Sequence, residues 1–178
     1  DVFDRGEHPD DILDLLMEHH SIDIQWGNHD ILWMGATAGS DACIATTIRN
    51  NIQYNNMQML ENGYGISLRT LTLFAERLYP DMEPMKAALK AISVILFKLE
   101  GQIISRHPEY NMDDRRLLHK INYENGTIEI EGKTYEMNDV NFPTVDRENP
   151  YELSSEENQL VKELRRMYVN NKRLKQHI

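Results

Sequence analysis

A single cysteine, Cys43, stands in 178 residues. That excludes an internal disulfide framework and fits a reducing, cytoplasmic setting. Long apolar runs are missing as well: none approaches the roughly 18 residues that suggest a membrane span. Residues 1–20 carry acids and histidines where a signal peptide has a basic start and an apolar stretch. Basic charge is scarce. Nineteen Lys and Arg against 29 Asp and Glu leave a formal net charge of −10, which argues against nucleic acid or an anionic membrane surface as partner. An acidic chain still binds phosphate esters where metal ions and one or two arginines supply local positive charge. No internal repeat or low-complexity tract is present. What remains, 40% hydrophobic and 27% charged residues, suits one globular domain with a real core.

The pattern predicts an α-rich α/β fold. Residues 1–38 read as part of a β-α-β unit. Val2 and Phe3 end a strand, and Pro9 with Asp10 and Asp11 opens a helix. Ile12, Leu15, Leu16 and His19 share a face of that helix. Ile22, Ile24 and Trp26 alternate as a second strand, parallel to the first. Residues 39–120 are mainly helical. Ser40 caps a helix carrying Ile44, Ile48 and Ile52, and Leu68, Leu71, Phe74 and Leu78 follow another face. Met85, Leu89, Ile92, Leu96, Leu99 and Ile103 mark the longest helix, read as core rather than as a coiled-coil seam. Residues 121–153 hold a small β-meander, with a type I′ turn expected at Asn125-Gly126 and a second turn at Glu131-Gly132, followed by an irregular segment. In residues 154–178, Ser154 and Glu157 form a capping box. Leu160, Val161, Leu164, Met167 and Tyr168 line the helix that follows, and residues 170–178 are expected to be a frayed or truncated helix.

Two short segments carry chemistry: Asp1-Val2-Phe3-Asp4-Arg5-Gly6 and Gly27-Asn28-His29-Asp30. Both fall at carboxyl ends of expected strands, where ligands of open parallel sheets sit, so they should meet in space. Asp1 suits a metal ligand, most usefully one bridging two divalent cations about 3.5–4 Å apart. Asn28 offers a neutral carbonyl ligand. Arg5 can hold two phosphate oxygens with its planar fork. Asp4 can accept a hydrogen bond from His29, which would protonate a leaving alkoxide. Alone, each segment reads as a common turn or helix cap; together, one helix apart, they favour metal-assisted phosphate ester hydrolysis. A metal-binding strand end at the first residue also suggests a piece of a longer protein. His19 and His20 end a helix, where positive charge is favoured, and read as surface or core residues; His8, His107, His119 and His177 lack ligand partners at informative spacing. Asn62-Gly63-Tyr64-Gly65 reads as a structural turn, with a substrate-facing loop as the second reading.

These residues resemble the calcineurin-like metallophosphoesterase superfamily, with its G-D-x-x-D-R-G and G-N-H-[DE] signatures. More specifically, the chain resembles the class III fructose-1,6-bisphosphatases of Firmicutes. The longer strings carry that likeness: residues 23–35, 60–66, 97–104, 141–144 and 149–153. The resemblance implies a cytosolic, Mn2+-dependent hydrolase removing the 1-phosphate of fructose 1,6-bisphosphate in gluconeogenesis. Asp1 would bridge the metals, Asn28 would bind the second, and Arg5 would hold phosphate. His29 with Asp4 would serve the leaving group. Residues 39–120 would be a helical insertion peculiar to this class, covering the site.

The superfamily's earlier D-x-H motif and later histidine motifs are missing here, and the stretch around Tyr79–Pro84 is shorter than the family usually carries. The isolated chain is therefore expected to bind metal poorly and to have little activity. Other readings are a phosphoprotein or dinucleoside polyphosphate phosphatase, and a non-catalytic assembly module using residues 85–107, consistent with a homo-oligomer. No cluster of basic residues for a second phosphate is evident.

Overall fold

Pro9 opens α1 (Pro9–Met17), with Asp10 and Asp11 in its first turn, where the exposed N–H groups favour acids. The computed structural model describes all of residues 1–178. After α1 come α2 (Asn28–Thr37), α3 (Asp41–Gln53), a π-helical turn at Met59–Gly63, α4 (Arg69–Leu78) and α5 (Pro84–Arg106). Three short 3-10 turns lead to the strands β1 (Ile121–Asn122), β2 (Thr127–Ile130) and β3 (Lys133–Glu136), and α6 (Ser155–Val169) and α7 (Lys172–His177) close the chain. The helix-rich class expected from the pattern holds. Two compact units result: Asp1–Ile92 with Gln159–Ile178, and Ser93–Asn158.

In the first unit, Phe3, Trp33, Tyr64 and Tyr168 form an aromatic cluster. Phe3 stacks on Trp33 at 4.7 Å between centroids, and Tyr64 and Tyr168 flank the indole at 5.9 and 5.8 Å. Ile44, Ile48, Leu60, Ile66, Leu71 and Leu164 are buried in the same unit. Ser40 caps α3 as expected, its hydroxyl accepting from Cys43 N–H. Arg165 pairs with Asp41, Nε donating to Oδ1 at 2.7 Å. Residues 172–177 are not frayed. Asn171 caps α7 by accepting from Leu174 N–H at 3.0 Å and donates to the Tyr64 carbonyl at 2.6 Å, and Leu174 is fully buried. In the Asn62–Gly65 segment Gly63 and Tyr64 are buried, while Asn62 and Gly65 are exposed. Arg173 Nη1 donates to Gly63 O at 2.6 Å.

The expected parallel strands are absent. Val2 and Phe3 lie in a turn whose N–H groups both go to the Asp30 carboxylate. Residues 22–26 have no regular structure. A strand needs a partner ladder, and neither segment finds one in this chain. The face of α1 is also rotated from expectation: Pro9, Asp10 and Leu13 are buried, while Ile12 and Leu15 are exposed. With Ile22, Ile24 and Trp26 exposed too, most apolar positions assigned to the helix and second strand of the β-α-β unit are uncovered, whereas Phe3 is buried.

In the second unit, β1, β2 and β3 form an antiparallel meander, Ile121 opposite Ile128 and Ile128 opposite Tyr135. The type I′ geometry sits at the second turn, not the first. Glu131 and Gly132, between the paired residues Ile130 and Lys133, have φ of +51° and +74°. The first connection has four residues between Asn122 and Thr127. Gly126 takes the left-handed conformation there, and the Asn122 side chain accepts from Glu124 and Asn125 N–H, replacing the expected tight turn. The capping box forms as expected: Glu157 N–H donates to Ser154 Oγ at 3.1 Å, and Ser154 N–H to Glu157 Oε2 at 2.7 Å. The same carboxylate takes Lys98 Nζ at 2.7 Å, with both side chains almost wholly buried. Along α5, Ile92, Leu96 and Leu99 of the expected face are buried, with Ile95, Lys98 and Ile104, while Met85, Leu89 and Ile103 are half-buried.

Candidate active site

Asp30 organises the site. Gly27 is the N-cap of α2, and Asp30, three residues on, reaches back to Gly27 N–H at 2.8 Å. Its other oxygen accepts from Val2 N–H at 2.9 Å and Phe3 N–H at 3.0 Å. One buried carboxylate thus ties the two segments together. Burial, the largest single influence, pushes its pKa up. Hydrogen bonds from Gly27 and Phe3, with the N-terminal ammonium, outweigh it and hold the carboxyl below its ordinary value.

Asp1 lies against the start of α2. Its Oδ1 accepts from His29 N–H at 3.0 Å, and a Cβ on Gly27 would overlap the Asp1 carboxylate. That approach explains the glycine. Asn28, the next residue, is exposed on the first turn of α2. His29 is half-buried, with Nε2 3.2 Å from Asp4 Oδ1. The distance is right for an ion pair with a protonated ring, but the alignment falls short of a formed hydrogen bond, and Asp4 Oδ1 is buried without one. Arg5 Nε is 3.5 Å from the same oxygen, and its guanidinium lies 4.5 Å from the Tyr54 ring centroid. Asn56, itself buried, donates to Gly6 O at 2.9 Å and anchors the loop.

All five residues named from sequence, Asp1, Asp4, Arg5, Asn28 and His29, therefore belong to one locality, fixed by contacts between residues 1–6 and 27–30. Asp30, Asn56 and Tyr54 were missed. The Gly27-x-x-Asp30 spacing of a capping box was the available signal for Asp30; nothing in the sequence pointed to Asn56 or Tyr54. A carboxylate and an amide carbonyl suit a hard divalent cation. The set fits a metal in kind but supplies two donors, fewer than the about six oxygens of an octahedral site. His8, Asp10 and Asp11 bring possible ligand atoms within 4.8 Å of one another, but Asp10 is ion-paired to Arg173 at 3.0 Å. A nearby cavity of about 200 Å³ is walled mainly by Val2, Phe3, Leu13, Ile24, Trp26 and Met34. It includes none of the five.

A sequence profile for the Firmicute fructose-1,6-bisphosphatase family matches residues 1–178. Among curated proteins, the chain is 48% identical over 199 residues to fructose-1,6-bisphosphatase class 3 1 of Clostridium beijerinckii. It is 46% identical over 198 residues to the class 3 enzyme of Alkaliphilus metalliredigens and 47% identical over 198 to that of Clostridium novyi. Each alignment takes in 100% of this chain and 30% of the relative, so the chain spans less than a third of their length. No solved structure matches. No helix is long and apolar enough to cross a membrane.

Proposed function

The chain belongs to the Firmicute fructose-1,6-bisphosphatase family, and from that premise we propose that a protein carrying these residues hydrolyses fructose 1,6-bisphosphate. The products are fructose 6-phosphate and inorganic phosphate, in a cytosolic, gluconeogenic, manganese-dependent reaction of the metallophosphoesterase type. The observation that supports this reading best is the junction of the two segments, with His29 Nε2 3.2 Å from Asp4 and His29 N–H on Asp1.

Asp1 and Asn28 would hold the metal, completed by ligands outside residues 1–178. Bound there, a divalent cation supplies Lewis acidity toward phosphoryl oxygen and activates water. The residues of this chain do the rest. Arg5, braced on Tyr54, presents its guanidinium to the phosphoryl oxygens of the substrate. Asp4 orients His29 by facing Nε2. The proton for the leaving group is then carried at Nδ1, the nitrogen turned away from Asp4. As a water oxygen adds to phosphorus and the phosphorus–oxygen bond to the sugar breaks, that proton passes to the sugar oxygen.

The test is manganese-dependent phosphate release from fructose 1,6-bisphosphate by a full-length family protein carrying this sequence, beside its His29→Ala variant. Release is expected to fall by at least about 100-fold, the lower end for a general acid. Turnover of a phosphoprotein or dinucleoside polyphosphate in place of the sugar bisphosphate would overturn the substrate assignment.

A further inference from the structure

Residues 97–104 and 149–153, two of the strings that carry the family likeness, meet in the second unit. They contribute to the wall of a cavity of about 580 Å³, within the range of about 300–1,000 Å³ common for small-molecule sites. The chemistry proposed above uses neither string.

Tyr151 is the platform of this cavity. Gly101 gives its ring a seat on α5, since a Cβ there would overlap the ring. Gln102 Nε2 donates to the Tyr151 carbonyl at 2.7 Å, and the Tyr151 hydroxyl lies 2.7 Å from His119 Nδ1. Burial, helped by the charges of Arg116 and Lys120, holds His119 below the usual imidazole range. Burial likewise raises the Tyr151 phenol. At neutral pH the phenol therefore donates and the imidazole accepts. On this fixed ring lies the Arg116 guanidinium, 4.7 Å from the centroid. Its Nη1 meets exposed Asp113 at 3.3 Å, and its Nε is buried with no hydrogen-bond partner. Arg106, exposed at the last residue of α5, lines the same cavity, as do Glu148, Asn149 and Glu152.

We propose that this cavity binds a small phosphate ester bearing hydroxyl groups, with Arg106 and Arg116 on the phosphate and Glu148, Asn149 and Glu152 on the hydroxyls. A guanidinium already stacked on a ring loses little freedom when it meets an oxyanion. Two cations are needed because the C-terminal end of α5 carries partial negative charge and two glutamates face the same space. The same glutamates disfavour a bare anion but accept hydrogen bonds from hydroxyls. An ester satisfies both sets of groups; inorganic phosphate satisfies one. The site uses none of the residues at the Asp1–His29 junction.

Calorimetric titration of the 178-residue chain in EDTA, with glucose 6-phosphate and inorganic phosphate as probes, tests this without any turnover. Glucose 6-phosphate is expected to bind more tightly than phosphate. Arg106→Met and Arg116→Met should each weaken it by at least about tenfold, the scale of one lost charge-assisted hydrogen bond, while Arg5→Met leaves it unchanged. Arg106 is exposed at a helix end, so its variant tests the site even if Arg116→Met unseats Tyr151. The double variant Glu148→Ala, Glu152→Ala should weaken glucose 6-phosphate and tighten phosphate. Three results would overturn the proposal: no saturable binding of glucose 6-phosphate, loss on Arg5→Met alone, or tightening of both probes in the glutamate variant.

Discussion

At Asp30 one carboxylate accepts N–H groups from Val2, Phe3 and Gly27, contacts that an amide reproduces only in part. In Asp30→Asn, Oδ1 can still accept, but an NH2 group facing an N–H leaves two donors opposed. A loss of about 1–3 kcal/mol is expected, the cost of a buried polar group left unmatched. The pH dependence has a definite sign. The folded pKa is depressed, so this carboxylate stabilises the fold above the unfolded value near 4. That contribution disappears as pH falls through the lower folded value. Urea midpoints measured across the acid range should show a dependence that is weaker in the variant; an unchanged profile would contradict the assignment. Gly101 supplies a second case at this scale. Helix propensity alone makes Gly101→Ala stabilising by up to about 1 kcal/mol. Overlap with the Tyr151 ring costs about 1–3 kcal/mol, so the net effect should be a loss, read as a lower denaturation midpoint. A gain would mean that Tyr151 moves freely.

Among the elements, α5 and α6 show how a cap and a core contact share one group. Glu157 closes the capping box at the start of α6 and also receives Lys98 from α5. Lys98 donates to Thr144 O at 2.6 Å as well. A buried pair of this kind is costly to break and cheap to replace. Lys98→Met should cost about 3–5 kcal/mol, because it strands a buried carboxylate. Adding Glu157→Gln keeps the cap, since Gln serves at that position, and removes the stranded charge. Most of the loss should be recovered. Chemical denaturation of the two single variants and the double variant measures this directly; a strictly additive cycle would show that the pair is not coupled.

For the whole molecule, the features legible in sequence were those decided within a few residues. Ser40 and Ser154 caps, the Pro9 start and the meander are local, and they formed where the pattern placed them. The strands at Val2-Phe3 and residues 22–26 depended on a ladder partner, which no local pattern specifies, and they did not form. The turn at Asn125-Gly126 failed for a related reason: the Asn122 side chain offered nearby N–H groups a competing acceptor. The site was legible as residue types at a spacing. That the two segments meet was also foreseen, though through strand ends rather than through Asp30, which makes the junction by capping α2 and holding two N–H groups about 28 residues away.

The burial of Lys98 has a consequence for chemical labelling. Its amine is wholly covered and held by Glu157 and Thr144, whereas the other lysines are exposed or half-buried. Acylating reagents attack a free, uncharged amine that they can reach. Lys98 should therefore remain unmodified while its fellows react, and it becomes reactive only when α5 lifts away from Glu157. One side chain thus serves as an internal reporter of opening in the second unit, readable by mass spectrometry without any added probe.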